Sequence, residues 1–435
     1  MNGLSTRELK GEPGTYQAAA LAVDITPPIG TRFDGYGARK EASNDIHDPL
    51  FASLLLIRAG GAGAALVTLD LLAVTLNFTS RLRAALAPVL ELPESAILVS
   101  ATHTHSGPAG FLGRVLPLGS QEDPIQQEIC LRKLAGAALR AKNHLQPVHL
   151  GFGWGQVHDL GGNRNDPSGP LDVQVGVLRV DDLQHRPLAV LMNYGCHPTV
   201  LGPENLAISA DFPGAARAAL DRIYPGTLFL FTNGASGDVS TRFTRRSQGF
   251  AEVERMGNIL AGEVLKVMQL VTPVQQVSIS SRISPVKLPV RNFPPLEAAR
   301  KQVEQLQAEL ARMRAAGLPH GEIRKAVTRL EGAQAQLIMV QSAGDLDTTD
   351  TQVQVLRIGP LALAALPGEP FTRLVLEIKD RSPVQPLLVV SYGNDYRGYF
   401  PDAASVAAGT YEALFSPYDE TASRELVQAA LALLG

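Results

Sequence analysis

The chain has 435 residues, of which 45% are hydrophobic and 19% charged, enough apolar material for one large core or two ordinary ones. A formal net charge of −3 gives no strong field for a polyanion, so we expect no nucleic-acid partner. The apolar runs are much shorter than the roughly 18 residues of a membrane-spanning helix, and no signal-peptide pattern is visible at the start. We therefore expect a cytoplasmic globular protein without a transmembrane segment.

The two cysteines, Cys130 and Cys196, lie far apart in the sequence. Two such residues form neither a disulfide framework nor a paired-cysteine metal motif. A reducing compartment fits this usage best, and a single disulfide between the two stays open.

Strand and helix patterns alternate at the start of the chain. Residues 50–74 contain two strand-like segments parted by glycines, which predicts a β-hairpin. The segment 79–90 predicts an amphipathic helix capped by Thr79 or Ser80, and residues 94–110 predict a strand that runs into a glycine loop.

The following segments repeat this order. They predict helices at about 122–143 and 213–223, and strands within 147–157, 173–180, 187–202 and 227–240. Strands return from residue 351, and a helix at 423–433 closes the chain. The pattern predicts an α/β fold of mixed β-sheets flanked by helices.

Three of these strands finish in polar, turn-forming residues, at 103–107, 194–199 and 232–240. Loops at strand ends carry function more often than the strands themselves. We therefore expect the three strand ends to form the rim of one site.

Residues 296–341 differ from their surroundings. They are rich in Ala, Glu, Gln, Leu and Arg, with apolar residues at helical spacing that is broken once at 317–319. The segment predicts a helical hairpin inserted between strands. A structural arm, or a contact between two copies of the chain in a homo-oligomer, is favoured over a catalytic role.

The segment ATHTHSGP, residues 101–108, is the most informative local motif. On a strand, the side chains of His103 and His105 would point to the same face, as two metal ligands or a ligand and an acid–base partner would. A pair of surface or core histidines explains the motif equally well. A metal or catalytic site would therefore require further residues beside this pair.

Two such residues follow other predicted strands. His197 in NYGCHP and Glu369 in LPGEP each come directly after an apolar run and next to a proline. Catalytic zinc takes imidazole nitrogen and carboxylate oxygen and keeps one position for water. Structural roles, a buried histidine and a salt bridge or helix cap, are the alternatives at these two positions.

These blocks resemble the neutral/alkaline ceramidases, zinc amidases that cleave the N-acyl bond of ceramide. In the family's order the blocks are DITPPIG, GYG, ATHTHSGP, NYGCHPT with ISAD, GDVS, PGE and NDYRGY, with Tyr411 beyond. The combination of HTHSGP and GDVS is specific, and the blocks cover most of residues 20–415.

The resemblance implies a set of site residues and a cofactor. The implied Zn²⁺ ligands are His103, His197, Glu369 and Tyr399. The residues implied to hold the scissile amide and its oxyanion are His105, Arg164 and Tyr411, with Ser240 a nucleophile or a residue near the metal. In the implied reaction, metal-bound water attacks the amide, and His105 gives a proton to the departing amine.

The resemblance implies a zinc-amidase catalytic domain and a role in lipid metabolism. In a departure from the family, the chain ends soon after Tyr411, so we expect a single domain over residues 1–435 without the family's C-terminal immunoglobulin-like domain. Thr241 stands where the family has proline after GDVS. We expect a small-molecule N-acyl substrate, smaller or more polar than ceramide. The alternatives are a serine amidase that uses Ser240, and a non-catalytic binding protein. Iron or manganese would suit the same ligands.

Overall fold

The structure is a computed structural model that describes residues 16–112, 121–342 and 347–435. The strands of its first part are β1 (Tyr16–Asp24), β2 (Asp45–Ile46), β3 (Phe51–Ala59), β4 (Ala62–Leu69), β5 (Ile97–Ala101), β6 (Gln146–Gln156), β7 (Gly162–Asn163), β8 (Gln174–Asp182), β9 (Pro187–Tyr194), β10 (Ala207–Ile208), β11 (Leu228–Asn233), β12 (Val239–Ser240) and β13 (Thr272–Pro273). The helices of the same part are α1 (Leu76–Leu90), α2 (Pro124–Asn143), α3 (Asp211–Asp221) and α4 (Phe250–Met268).

The second part begins at residue 279. Its strands are β14 (Ile279–Pro289), β15 (Thr348–Ile358), β16 (Leu361–Ala365), β17 (Glu369–Pro370), β18 (Leu387–Val390) and β19 (Tyr399–Phe400). Its helices are α5 (Leu296–Ala315), α6 (His320–Ser342), α7 (Thr372–Arg381), α8 (Ala403–Ala408), α9 (Tyr411–Phe415) and α10 (Glu420–Leu434).

Two mixed sheets form the centre of the described fold. The larger has the order β11-β9-β8-β6-β1-β3-β4-β5, with β13 paired to β6, and the smaller has the order β14-β15-β16-β18. Residues of both sheets share one apolar cluster, to which Leu55, Leu66, Leu363 and Leu388 belong. The inner faces of the two sheets therefore pack on each other.

Helices cover the two outer faces. Residues of α1 to α4 pack on the outer face of the larger sheet, and residues of α7 and α10 pack on that of the smaller. Strands such as β4 are buried along their whole length, which explains their continuous apolar sequence, since strands covered on both faces lose the polar alternation. The predicted fold class, mixed sheets flanked by helices with an inserted helical hairpin, is confirmed.

The hairpin consists of α5 and α6. It leaves and re-enters the smaller sheet at adjacent points, because β14 and β15 are antiparallel neighbours with Pro289 opposite Thr348. Gly317 lies between the two helices with φ of 65°, a left-handed conformation that glycine adopts readily. Helix α6 packs against α9.

Two local predictions are wrong. The cap of α1 is Thr75, whose side chain accepts a hydrogen bond from the Phe78 amide at 3.2 Å, instead of Thr79 or Ser80. The helix begins one turn earlier because Phe78 is apolar and packs in the core. Strand β5 ends at Ala101, so His103 and His105 lie in the loop after it.

Both cysteines are free and buried, so the open disulfide does not form. Among the helices of the described segments, none is long and apolar enough to cross a membrane.

Candidate active site

Three pairs of parallel strands deliver polar loops to one edge of the fold. The pairs are β4 with β5, β9 with β11, and β16 with β18. Parallel strands that are neighbours end at the same edge, which is where α/β proteins place their sites. His103 follows β5, His197 follows β9 and Glu369 follows β16, and salt-bridge distances join the three.

The imidazoles of His103 and His197 are oriented by backbone carbonyls. His103 Nδ1 lies 2.7 Å from the Leu72 oxygen, and His197 Nδ1 lies 2.6 Å from the Ser236 oxygen. A carbonyl oxygen only accepts, so each Nδ1 carries the hydrogen and each Nε2 presents a lone pair. This is the arrangement in which proteins hold metal-binding histidines.

The lone pairs converge on a carboxylate. Glu369 Oε2 lies 2.9 Å from His197 Nε2 and 3.7 Å from His103 Nε2. Burial lowers the pKa of both imidazoles to about 3, so neither is protonated at neutral pH. Facing acceptors repel each other unless a cation lies between them, and these residues therefore fit a divalent metal ion.

His105 adds a third imidazole to this cluster. Its Nε2 lies 3.3 Å from His103 Nε2, and ligand atoms of His103, His105 and His197 lie within 4.8 Å of one another. The Arg39 Nη1 donates to the His105 backbone oxygen at 2.7 Å, and the Tyr36 ring lies 4.7 Å from the imidazole. The loop around residues 36–39 thus fixes His105 from the outside.

Glu369 is held by tyrosines that the sequence analysis missed. Tyr396 donates to Glu369 Oε1 at 2.6 Å, and Tyr392 donates to Oε2 at 3.4 Å. The Tyr392 ring also stacks on His103, with centroids 3.9 Å apart. Tyr396 is the first tyrosine of NDYRGY and could have been noticed there, whereas nothing in the local sequence singles out Tyr392.

Tyr399 reaches the cluster through a short strand pair. Glu369 of β17 is opposite Tyr399 of β19 in parallel register. Arg164 Nη2 donates to the Tyr399 hydroxyl at 3.2 Å. Burial raises the pKa of the Tyr399 phenol, and the charge of Glu369 raises it further. The charge of Arg164 acts in the opposite direction, and a metal cation in the cluster would favour the phenolate further.

Arg164 and Tyr411 both lie beside Tyr399. Arg164 Nε forms an ion pair with Glu412 Oε1 at 2.5 Å, and the Tyr411 ring lies 6.4 Å from that of Tyr399. Burial raises the pKa of Tyr411, so its phenol keeps its proton. A cation and a neutral donor therefore stand side by side, as stabilisation of an oxyanion requires.

Ser240 lies beside the cluster and forms a cap. Its hydroxyl accepts a hydrogen bond from the Arg242 amide at 3.3 Å, at the start of a short 3₁₀ turn. It is bridged to His197 through the backbone. Within the described ranges, no histidine nitrogen is hydrogen-bonded to this hydroxyl.

Asn233, at the end of β11, ties two of the loops together and was also missed. Its Nδ2 donates to the Thr102 oxygen at 3.3 Å and to the Cys196 oxygen at 3.0 Å, and its Oδ1 accepts from the Cys196 amide at 3.0 Å. Thr102 and Cys196 directly precede His103 and His197, so Asn233 links the loops that carry the two histidines. Together with the contacts described above, the fold brings together all eight residues that the sequence singled out.

Comparison with known proteins identifies the family of the chain. Residues 16–242 match the family model of the neutral/alkaline non-lysosomal ceramidases, N-terminal part. Neutral ceramidase A of Dictyostelium discoideum is 27% identical over 261 residues, which are 53% of this chain and 36% of that protein. The neutral ceramidase of Pseudomonas aeruginosa is 28% identical over 203 residues, which are 42% of this chain and 30% of that protein.

Solved structures extend the likeness to nearly the whole fold. The crystal structure of the neutral ceramidase from Pseudomonas aeruginosa matches with a TM-score of 0.73 at 20% identity, over 97% of this chain and 74% of that one. A structure described as ceramidase complexed with C2 matches with a TM-score of 0.75 at 18% identity, over 97% of this chain and 75% of that one. The sequence matches span about a third of the length of the curated relatives named above.

Proposed function

Because the chain belongs to the neutral/alkaline non-lysosomal ceramidase family, we propose that it is a zinc-dependent hydrolase of N-acyl amide bonds. The convergence of the His103 and His197 lone pairs on Glu369 is the observation that carries the proposal. The relatives are named for ceramide, and we include ceramide-like lipids among the substrates. A smaller substrate, a cytoplasmic location and a single catalytic domain stay predictions.

His103, His197, Glu369 and Tyr399 are the residues that would hold the metal. A divalent cation bound by them would polarise the amide carbonyl and lower the pKa of water in the site. The chain itself keeps the ligands neutral or anionic and excludes bulk water, since His197 is fully buried and His103 and Glu369 are only 1% exposed.

The remaining residues divide the work on the amide. Arg164 and the protonated phenol of Tyr411 stabilise the oxygen on which negative charge develops. His105 would take a proton from the attacking water and deliver one to the departing amine. Asn233, Tyr392 and Tyr396 would orient the ligands through their hydrogen bonds to Glu369 and to the loops that carry the histidines.

The alternative that Ser240 is a covalent nucleophile gains no support from the site. An activated serine needs a base within hydrogen-bonding reach of its hydroxyl, and the Ser240 hydroxyl instead caps a turn. Likewise, no observation favours a non-catalytic binding protein over a hydrolase.

The test combines elemental analysis with a substrate panel. Protein purified without added metal should carry about one zinc per chain, and His103→Ala and His197→Ala should lose both metal and turnover. The assay uses N-acyl amines with chains from acetyl to palmitoyl, long-chain ceramide in detergent included.

His149→Ala is the matched control, because this histidine is exposed on β6. It should keep the metal and the rate of the unmodified protein. If His103→Ala kept full metal content and normal turnover, the proposal would be wrong.

A further inference from the structure

The short helix α9 contacts the oxyanion side of the site directly. Its first residues are Tyr411 and Glu412, and Glu412 is 1% exposed and paired with Arg164. Glu412 Oε2 also accepts from Asn165 Nδ2 at 2.9 Å. A displacement of α9 would therefore move both the phenol of Tyr411 and the partner of the Arg164 guanidinium.

Helix α6 of the hairpin lies against the other side of α9. The approach is close at Gly332, where an added Cβ would lie 3.2 Å from the Leu414 Cβ and 3.2 Å from the Tyr411 Cα. The second of these contacts is with backbone, which cannot turn away as a side chain can. Glycine weakens a helix relative to alanine. Its presence here is explained by the close approach of α9, which leaves too little room for a Cβ.

Two further contacts hold the same arrangement. Arg291, at the entry to the hairpin, donates from Nη2 to the Leu414 oxygen at 2.8 Å and from its amide to the Pro417 oxygen at 3.0 Å. Later on α6, Met339 is buried in the apolar cluster that contains Tyr392 and Tyr396, the residues that orient Glu369. The hairpin thus contacts α9 and shares an apolar cluster with the tyrosines that hold the carboxylate.

We propose that the helical hairpin is a positioning element of the site, in which Gly332 of α6 sets the place of α9 and, with it, of Tyr411 and Glu412. In this role the hairpin acts on the site through α9. The expected fall in kcat rests on the proposed function, whereas the expected displacement of α9 does not.

The experiment replaces Gly332 by alanine and by leucine. A Cβ at 3.2 Å forces α9 to move by a few tenths of an ångström, and a longer side chain forces more. Because a misplacement of about 1 Å costs about 100-fold in rate, we expect kcat to fall about threefold in Gly332→Ala and at least about tenfold in Gly332→Leu. Metal content should not change.

A second readout does not depend on activity. Amide hydrogen exchange, followed by mass spectrometry, should become faster in residues 410–416 in both variants. Gly332→Ala is the milder change and keeps the test valid if the leucine variant fails to fold.

Two other helical glycines provide controls. A Cβ at Gly262 on α4 meets nothing within 4 Å, so Gly262→Ala should leave kcat and the exchange of residues 410–416 unchanged. Gly257 on α4 packs tightly on Ala215 and Ala216 of α3. Gly257→Ala should lower the melting temperature without accelerating exchange at 410–416.

Unchanged kcat together with unchanged exchange at 410–416 in Gly332→Leu would overturn the positioning role. If the unmodified protein hydrolysed no N-acyl amide, the proposed function would fail, and the exchange rates of residues 410–416 would then decide the positioning role alone.

Discussion

At the residue scale, His103 is fixed through both its main chain and its ring. It adopts φ of 71°, in the left-handed region that residues with a side chain avoid. Its amide donates a hydrogen bond to the Leu71 oxygen at 3.0 Å, and its Nδ1 donates one to the Leu72 oxygen. Strain of this kind persists only where the surroundings impose it, and it is concentrated at functional sites.

Replacement of Ser240 by alanine separates the two enzymatic mechanisms. The change removes a cap on the Arg242 amide, which costs about 1 kcal/mol of folding stability or less. We expect Ser240→Ala to keep its metal and a measurable rate, and no acyl group to be found on Ser240 of the unmodified protein during turnover. An acyl-enzyme detected at Ser240 by mass spectrometry would contradict the metal mechanism.

The residues of the site were predictable to different degrees. His103 and His105 were singled out because of their spacing, yet the strand geometry assumed for them is wrong, and a tight loop makes them converge instead. Tyr399 and Arg164 came only from the resemblance to a family. Asn233 could not have been found from its neighbours, since its partners are 37 and 131 residues away.

At the element scale, the pairing of β17 with β19 brings Glu369 to Tyr399. Gly368 makes this possible, because its φ is 72° and a Cβ there would collide with the carbonyl oxygen of Gly398. The positive φ and the short contact with Gly398 each disfavour any residue with a Cβ at this position.

Gly368→Ala should therefore lose metal and activity and destabilise the fold by about 1 kcal/mol or more, because the new side chain fits neither the backbone conformation nor the space. Elemental analysis and thermal unfolding give the two readouts. Gly226→Ala is the control, since Gly226 has φ of 85° but nothing within 4 Å of an added Cβ. Equal metal loss in both variants would show that backbone strain, not the contact with Gly398, matters.

Long periodic elements were the most predictable. The expected hairpin at 296–341 is present as Leu296–Ala315 and His320–Ser342, because its apolar residues keep helical spacing over many turns. In contrast, β17 and β19 have two residues each and pair across a gap of 30 residues. A contact so distant and so short leaves no periodic signal in the sequence.

At the scale of the whole molecule, the site joins both parts of the chain. The family model covers His103, His105, Arg164, His197 and Ser240, and it ends at residue 242. Glu369, Tyr399 and Tyr411 lie beyond it, in the part that contains the smaller sheet. The site is complete only when the two sheets have packed on each other.

Metal removal should therefore destabilise the entire fold. A ligand that binds only the folded state stabilises it by about 2.7 kcal/mol at 100 times its Kd. We expect a chelator to lower the melting temperature, and added zinc to restore it. In His103→Ala the melting temperature should not respond to either treatment, and an equal response in this variant would place the stabilising metal elsewhere.

The strands that flank the hairpin stay paired up to its base, where the Val290 amide donates to the Asp347 oxygen at 2.9 Å. A segment that departs from and returns to neighbouring points can change in length at little cost, because the entropy of closing a loop grows only slowly with its length. Insertions and deletions in α5 and α6 would thus leave the sheets intact and yet shift the helix that holds Tyr411. Through such changes, the position of Tyr411 would shift while His103, His197 and Glu369, which follow strands of the two sheets, keep theirs.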